Sequence, residues 1–182
     1  MSRGRFILID RQRAMSSGYK WFALIAKPQH EFRIQEGLAA IPEVEVFLPT
    51  YKNKRKWSDR VKILDTPLFS GYVFARFTYP EMRVPILRTV GVRSIVGFGN
   101  EPCPLPEDEI ETIRTLVNSP YAVQPWPFLK TGTRVRIEYG PLRGVEGIVL
   151  ERKDEWKMVV SVEILQRSVA VVLDRSVLSR MG

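Results

Sequence analysis

The sequence predicts an α+β chain built in two parts, a sheet-and-helix first half followed by a small all-β barrel. Three observations carry this. Helical stripes at Gln29–Ile41 and Glu107–Val117 lie among alternating or apolar strand-like runs. Asn118–Pro127 holds Pro120, Pro125 and Pro127 without any periodicity, which reads as a boundary. After Gly132 the chain turns to short runs rich in valine and isoleucine, the pattern of a small barrel.

In order along the chain, residues 1–18 are polar and basic. Arg3, Arg5, Arg11 and Arg13 outnumber Asp10, and the stretch ends in Ser16-Ser17-Gly18. It reads as a flexible extension. Tyr19 to Ala26 is apolar throughout and fits a buried strand, closed by Lys27-Pro28. The helix Gln29–Ile41 is expected to face inward with Phe32, Leu38, Ala39 and Ile41, and to leave Glu31, Arg33 and Glu36 outside, until Pro42 stops it. Val44–Pro49 is a second strand.

Thr50 to Leu64 then reads as a protruding two-stranded arm with a turn at Ser58-Asp59. Lys52, Lys54, Arg55, Lys56, Arg60 and Lys62 face a single acid, Asp59, and Tyr51 and Trp57 are interleaved with them. A charge run is usually a solvated face. One-sided charge with aromatics favours nucleic acid.

Pro67 to Phe77 is a turn and a strand. Val73, Ala75 and Phe77 form an ordinary core face, whereas Tyr72, Phe74 and Arg76 share the other. Two aromatics on that second face mean either burial within the chain or a docking surface. Pro80–Thr89 fits a short helix despite Pro85. Gly91–Gly99 is a glycine-bounded strand and Asn100–Pro106 a proline-rich loop. Glu107-Asp108-Glu109 opens the next helix, where the macrodipole accounts for three acids without a metal. Ile110, Ile113, Leu116 and Val117 continue it. The all-β part contains Gly132–Tyr139, the turn Gly140-Pro141-Leu142-Arg143-Gly144, and runs at Val145–Glu151, Lys157–Leu165 and Val169–Leu173.

The domains expected are therefore a flexible basic extension (1–18), a mixed domain (19–118), a linker (119–128) and a barrel (129–182). The net charge of +8 suggests a polyanionic partner, and nucleic acid is the one expected. No apolar run is long enough to span a bilayer, and no cleavage site follows the short apolar patch Phe6–Ile9, so neither a membrane segment nor a signal peptide is expected. The one cysteine, Cys103, excludes an internal disulfide and a cysteine metal cluster, and fits a reducing cytoplasm. There is no phosphate-cradling glycine loop, no thiol–imidazole pair and no metal-ligand spacing, so no enzyme, metal or cofactor is expected.

The second half resembles a KOW module, through Gly132, Val135, Ile137, Gly140-Pro141-Leu142, Gly144, Glu146-Gly147 and Val149. Gly140 permits the tight turn, and Gly147 lets neighbouring strands approach closely. The first half resembles the N-terminal domain of NusG-type transcription elongation factors, through Trp21-Phe22-Ala23, Lys27-Pro28, Phe47-Leu48-Pro49 and Pro67-Leu68-Phe69-x-Gly71-Tyr72-Val73-Phe74. The two modules in this order are more specific than either alone.

The resemblance implies an antiparallel sheet flanked by helices, then an SH3-like barrel. It implies a monomeric, non-enzymatic transcription elongation factor that modulates pausing or termination. Such a factor would bind the clamp helices of RNA polymerase's largest subunit through Phe69, Tyr72, Phe74, Phe98, Ile110 and Ile113. It would contact non-template DNA in the transcription bubble through Lys27, His30, Arg33, Arg88 and Arg93, with the arm residues Lys52, Lys54, Arg55, Lys56, Arg60 and Lys62 on DNA as well.

Three positions depart from the family pattern. Ser70 stands where a proline is common. Val145 stands where an aromatic helps recruit Rho or the ribosome. Leu165-Gln166-Arg167 replaces Phe-Gly-Arg. These departures weigh against Rho and ribosome contacts and favour a specialised paralogue of the NusG/RfaH family acting in processive antitermination. The β-branched runs Val159–Ile164 and Val169–Val172 imply a stable barrel rather than a helical state. The competing reading is a KOW-containing RNA- or ribosome-binding protein.

Overall fold

The computed structural model describes residues 18–56, 60–99, 101–152, 155–173 and 178–180. The basic extension up to Ser17, Trp57 and the Ser58-Asp59 turn lie outside the described residues. The first half contains β1 (Tyr19–Ala26), α1 (Glu31–Ala39), β2 (Glu45–Phe47), β3 (Thr50–Lys56), β4 (Val61–Pro67), β5 (Tyr72–Thr78), α2 (Arg83–Arg88), β6 (Val92–Ile95), β7 (Gly97–Phe98) and β8 (Glu101–Pro102). It is followed by α3 (Glu107–Val117), β9 (Val123–Trp126), β10 (Thr133–Ile137), β11 (Glu146–Arg152), β12 (Glu155–Val162), a 3-10 turn (Glu163–Leu165), β13 (Arg167–Leu173) and β14 (Leu178–Arg180). The described residues fall into two compact units, one within Met1–Leu48 and Ser70–Glu107, the other within Pro49–Phe69 and Asp108–Gly182.

The first unit is built on an antiparallel sheet of order β2-β5-β1-β6. Strand alternation gives it two apolar faces. On one, Phe22, Leu24, Val73, Ala75 and Phe77 pack with Ile34 and Leu38 of α1 and Ile86 of α2. The inward stripe of α1 is thus Glu31, Ile34 and Leu38, not the Phe32-led stripe expected: Phe32 is exposed and Glu31 is buried. The helix begins two residues later than the sequence suggested, and its facing is decided by packing against the sheet and by a hydrogen bond that Glu31 alone can accept (below). Pro85 is tolerated in α2 because it sits in the first turn, where no intrahelical N–H is required. Within the glycine-bounded stretch, Gly97–Phe98 pairs with Glu101–Pro102, so part of the expected proline-rich loop is a two-residue hairpin. Gly97 is obligatory there, since a Cβ would come within 2.1 Å of the Glu101 carbonyl oxygen.

The second unit holds a six-stranded antiparallel sheet, order β14-β10-β11-β12-β13-β9, and the separate β3–β4 hairpin. Val135, Ile137, Leu142, Val145, Met158, Val162, Leu165, Val169 and Val171 are among its buried apolar residues. Four of the strands match the sequence expectation. β9 and β14 are not among the expected runs: Leu178–Arg180 pairs with Val135–Ile137 of β10, and Val123–Trp126, inside the expected linker, pairs with Val171–Ser168 of β13. The prolines in and beside β9 suppressed the strand signal, and an edge strand accommodates Pro125 because an outward N–H is not needed for pairing. The chain beyond it is tied down as well. Ser161 Oγ donates to Leu129 O at 2.6 Å, and Leu129 N–H donates to Ser168 Oγ at 3.2 Å.

The turn glycines behave as their spacing implies. Gly140 and Gly144 have φ of 85° and 87°. Arg143 N–H donates to Gly140 O, and Gly144 N–H to Ile137 O. Pro141 lies in the same turn, exposed. Gly147 carries the close approach: a Cβ there would lie 2.7 Å from both Met158 Cγ and Val159 O. Gln166, standing where the family pattern has glycine, still takes the left-handed conformation (φ 50°, ψ 43°), and its amide Nε2 donates to Glu163 O. A side chain in that left-handed region carries the ordinary cost that glycine avoids.

Candidate functional site

The end of the first sheet gathers three loops. Ala26 N–H donates to Gly71 O and Lys27 N–H to Gly91 O, both at 2.8 Å. Gly71 N–H donates to Glu31 Oε1 at 2.9 Å, which is why a carboxylate is buried at the start of α1. Gly91 has φ of 101°, and a Cβ would sit 2.8 Å from His30 Cβ. Only glycine lets the β6 loop seat against His30. A carbonyl can only accept, so His30 Nδ1–H donates to Pro28 O at 2.8 Å. Gln29, between them, has φ of 61°.

Around this clamp Lys27, Arg33, Arg88 and Arg93 are exposed and His30 is half-buried. The structure thus joins the Lys27–His30 loop to the Gly91 loop that Arg88 and Arg93 flank. The sequence named the cations. It did not show Gly91 or Glu31, whose roles depend on contacts between residues 40 or more positions apart.

The arm residues Lys52, Lys54, Arg60 and Lys62 are exposed. Arg55 and Lys56 lie on β3, opposite Lys62 and Val61 in the register. Lys52 pairs with Asp65 at 2.7 Å.

The second face of the first sheet holds Tyr72, Phe74 and Arg76 with Trp21, Ala23 and Ile25. Phe74 and Trp21 are fully buried and Tyr72 is half-buried. Phe47 completes an aromatic row, stacked on Phe74 at 6.1 Å between centroids and edge-on to Trp21 at 6.4 Å. At one edge Trp21 Nε1–H donates to Glu107 Oε1 at 3.2 Å, and Arg76 Nη2 lies 3.1 Å from Glu107 Oε2. Arg76 also lies over the Tyr19 ring and 3.8 Å from Glu45. Glu107 is therefore held by two side chains of the sheet, a stronger anchor than the helix macrodipole alone. Of the other apolar candidates, Phe98 is 76% exposed on the β7–β8 hairpin. Phe69, Ile110 and Ile113 belong to the second unit and are buried.

In the second unit a cleft of about 540 Å³ is lined by Asp108, Glu109 and Thr112 of α3 together with Lys130, Arg134 and Glu163. Burial, reinforced by the Asp108 and Glu163 carboxylates, pushes the Glu109 carboxyl above its ordinary range. Among the described residues no group of His, Cys, Asp and Glu could hold a metal ion, and no helix is long and apolar enough to cross a membrane.

Comparison with known proteins agrees with this architecture. A family model described as "Transcription termination factor nusG" matches residues 19–114. The chain is 28% identical over 171 residues to the transcription termination/antitermination protein NusG of Campylobacter jejuni, covering 85% of this chain and 93% of that one. It is 32% identical over 127 residues to the NusG of Deinococcus radiodurans, covering 60% of this chain and 66% of that one. A solved structure described as domain interaction in Thermotoga maritima NusG superposes with a TM-score of 0.58 at 22% identity, over 90% of this chain and 98% of the other.

Proposed function

The chain belongs to the NusG family of transcription termination and antitermination factors, and we propose that it binds transcribing RNA polymerase and changes pausing or termination without chemistry of its own. The observation that carries this is the family match across residues 19–114, which includes the first sheet and the loops at its end. The mechanism is differential binding: a factor that binds the closed, elongating polymerase better than the paused one shifts the population toward elongation. The reading is processive antitermination in the cytoplasm by a monomeric, specialised member of the family.

Two surfaces share the work in this reading. Tyr72, Phe74 and Phe98 of the first unit form an apolar set for the clamp helices of the largest subunit, in the helix-in-groove mode, and Phe69, Ile110 and Ile113 of the second unit are assigned to the same partner by the family resemblance alone. Tyr72 and Phe98 have surface open to a partner in the free chain. Phe69, Phe74, Ile110 and Ile113 are buried in the free chain. Lys27, His30, Arg33, Arg88 and Arg93, with the arm cations, face the non-template strand. The glycine clamp supports this because it presents the loop cations on one rigid backbone platform.

A pause assay with purified polymerase tests the reading. The chain should alter pausing or readthrough, and Tyr72→Ala with Phe98→Ala should weaken polymerase binding by about tenfold while the fold persists. No polymerase binding and no effect on pausing would discard it, and co-purification with ribosomal subunits instead would favour an RNA- or ribosome-binding role. For the nucleic-acid contact, binding should fall with salt at a log–log slope of about −0.7 per neutralised phosphate of single-stranded DNA. A flat salt response removes these cations from the interface.

A further inference from the structure

The β3–β4 arm carries a surface that charge alone does not account for. In an antiparallel pair, residues directly opposite share a face. The register sets Lys52 opposite Asp65 and Lys54 opposite Ile63, and Val61, two residues from Ile63, lies on that same face. Val61 and Ile63 are 60% and 59% exposed. The other face holds Tyr51, Asn53 and Thr66, half-buried, with Lys62 and Leu64 exposed, Leu64 at 38%. The more exposed apolar side chains of the arm are therefore the β-branched pair Val61 and Ile63, while Tyr51 on the opposite face is half-buried. A single exposed aliphatic residue is ordinary. Two at neighbouring same-face positions make a continuous patch.

We propose that this face is a protein-docking surface whose occupant is an acidic patch with an apolar centre on RNA polymerase. The inference rests on the reading that the chain binds polymerase. Val61 and Ile63 lack the π faces on which bases stack, and phosphates would engage Lys52 and Lys54 while leaving both aliphatic side chains in water. A second copy is disfavoured because the lysines of each arm would meet, in a chain of net charge +8. An acidic protein surface removes both difficulties: it covers Val61 and Ile63 and neutralises Lys54, so that this face of the arm passes from the nucleic-acid contact to a protein contact and Arg55 and Lys62, opposite each other on the other face, are left to the DNA. Lys52 already has Asp65 beside it.

The test uses the full chain and two variants. Val61→Thr with Ile63→Thr keeps β-branching and hence the strand, while Lys54→Glu reverses the charge at an exposed position. Affinity is measured for core RNA polymerase free of nucleic acid, and separately for bare scaffold DNA. The double threonine variant should bind polymerase about fivefold more weakly, from lost apolar contact. Lys54→Glu should lose about threefold, less at high salt. Bare DNA binding by the threonine variant should stay within about twofold of the parent, as expected for a change that removes no charge.

Polymerase affinity unchanged by both variants, while Tyr72→Ala with Phe98→Ala weakens it, overturns the inference and leaves the polymerase reading standing. Absence of polymerase binding by the parent overturns both. Loss confined to bare DNA assigns the face to nucleic acid. A parent dimer that the threonine variant disperses assigns it to self-association. Either of these last results also overturns the inference.

Discussion

The aromatic face of the first sheet and the basic rim at its end are built from the same strands on opposite principles. Phe74, Trp21 and Phe47 interlock, and two of the three are fully buried. Lys27, Arg33, Arg88 and Arg93 stay exposed, and what is fixed there is the backbone, through Lys27 N to Gly91 O and Gly71 N to Glu31. An apolar face lends its groups to stability. A charged one must keep its groups in water and borrow its rigidity from glycines and buried hydrogen bonds. The two therefore answer differently to substitution.

The largest expected effect is on the aromatic face. Phe74→Ala should lower the unfolding free energy by about 3–5 kcal/mol, read by urea denaturation. A loss below about 1 kcal/mol would make Phe74 a ring held for a partner rather than for the core, and would break the contrast. Next comes the clamp. Gly91→Ala should cost about 1–3 kcal/mol, because it forces a side chain to positive φ and against His30. It should also weaken DNA binding although no cation is removed. Stability loss with unchanged DNA binding would separate the clamp from the rim's function.

Glu109 sharpens the comparison as a charge that is partly buried. Its carboxyl is raised in the folded state, so the stability it contributes is full below the ordinary carboxylate range and is lost as pH rises through the raised value. Glu109→Gln should therefore gain stability at neutral pH, by at most about 1 kcal/mol after screening, and should flatten the decline in thermal midpoint above the acidic range. An unaltered pH profile would assign that decline to other groups. The smallest effect on stability belongs to the rim: Lys27→Ala with Arg93→Ala should change unfolding by within about 0.5 kcal/mol. The same double variant should shift DNA affinity and lower the salt slope, as fluorescence anisotropy would read.

Much of the fold was legible because it repeats a local signal. Tyr19–Ala26 and Tyr72–Thr78 are apolar or alternating along their length, and the helix over Glu107–Val117 shows its stripe at Ile110, Ile113 and Leu116. Where the local signal is weak or misleading, reading fails. Phe32 was the most apolar residue near the start of α1, yet Glu31 is the residue that turns inward, because Gly71 offers a buried N–H there. Val123–Trp126 looked like linker because prolines obscure alternation, and its pairing is supplied by residues more than 40 positions away. The basic residues of the candidate site were visible one by one. Their common platform was not, since it depends on Gly91 meeting His30.

By itself the sequence determined the α+β class, the family, the identity of the cations and the glycines of the Gly140–Gly147 turn, because each is written in local pattern or motif. The tertiary structure decided which face of β5 holds a fully buried Phe74, which loops share a backbone clamp, and which side of the arm shows Val61 and Ile63 to water. These depend on strand register and long-range contact, and a change of register by one residue would exchange every face.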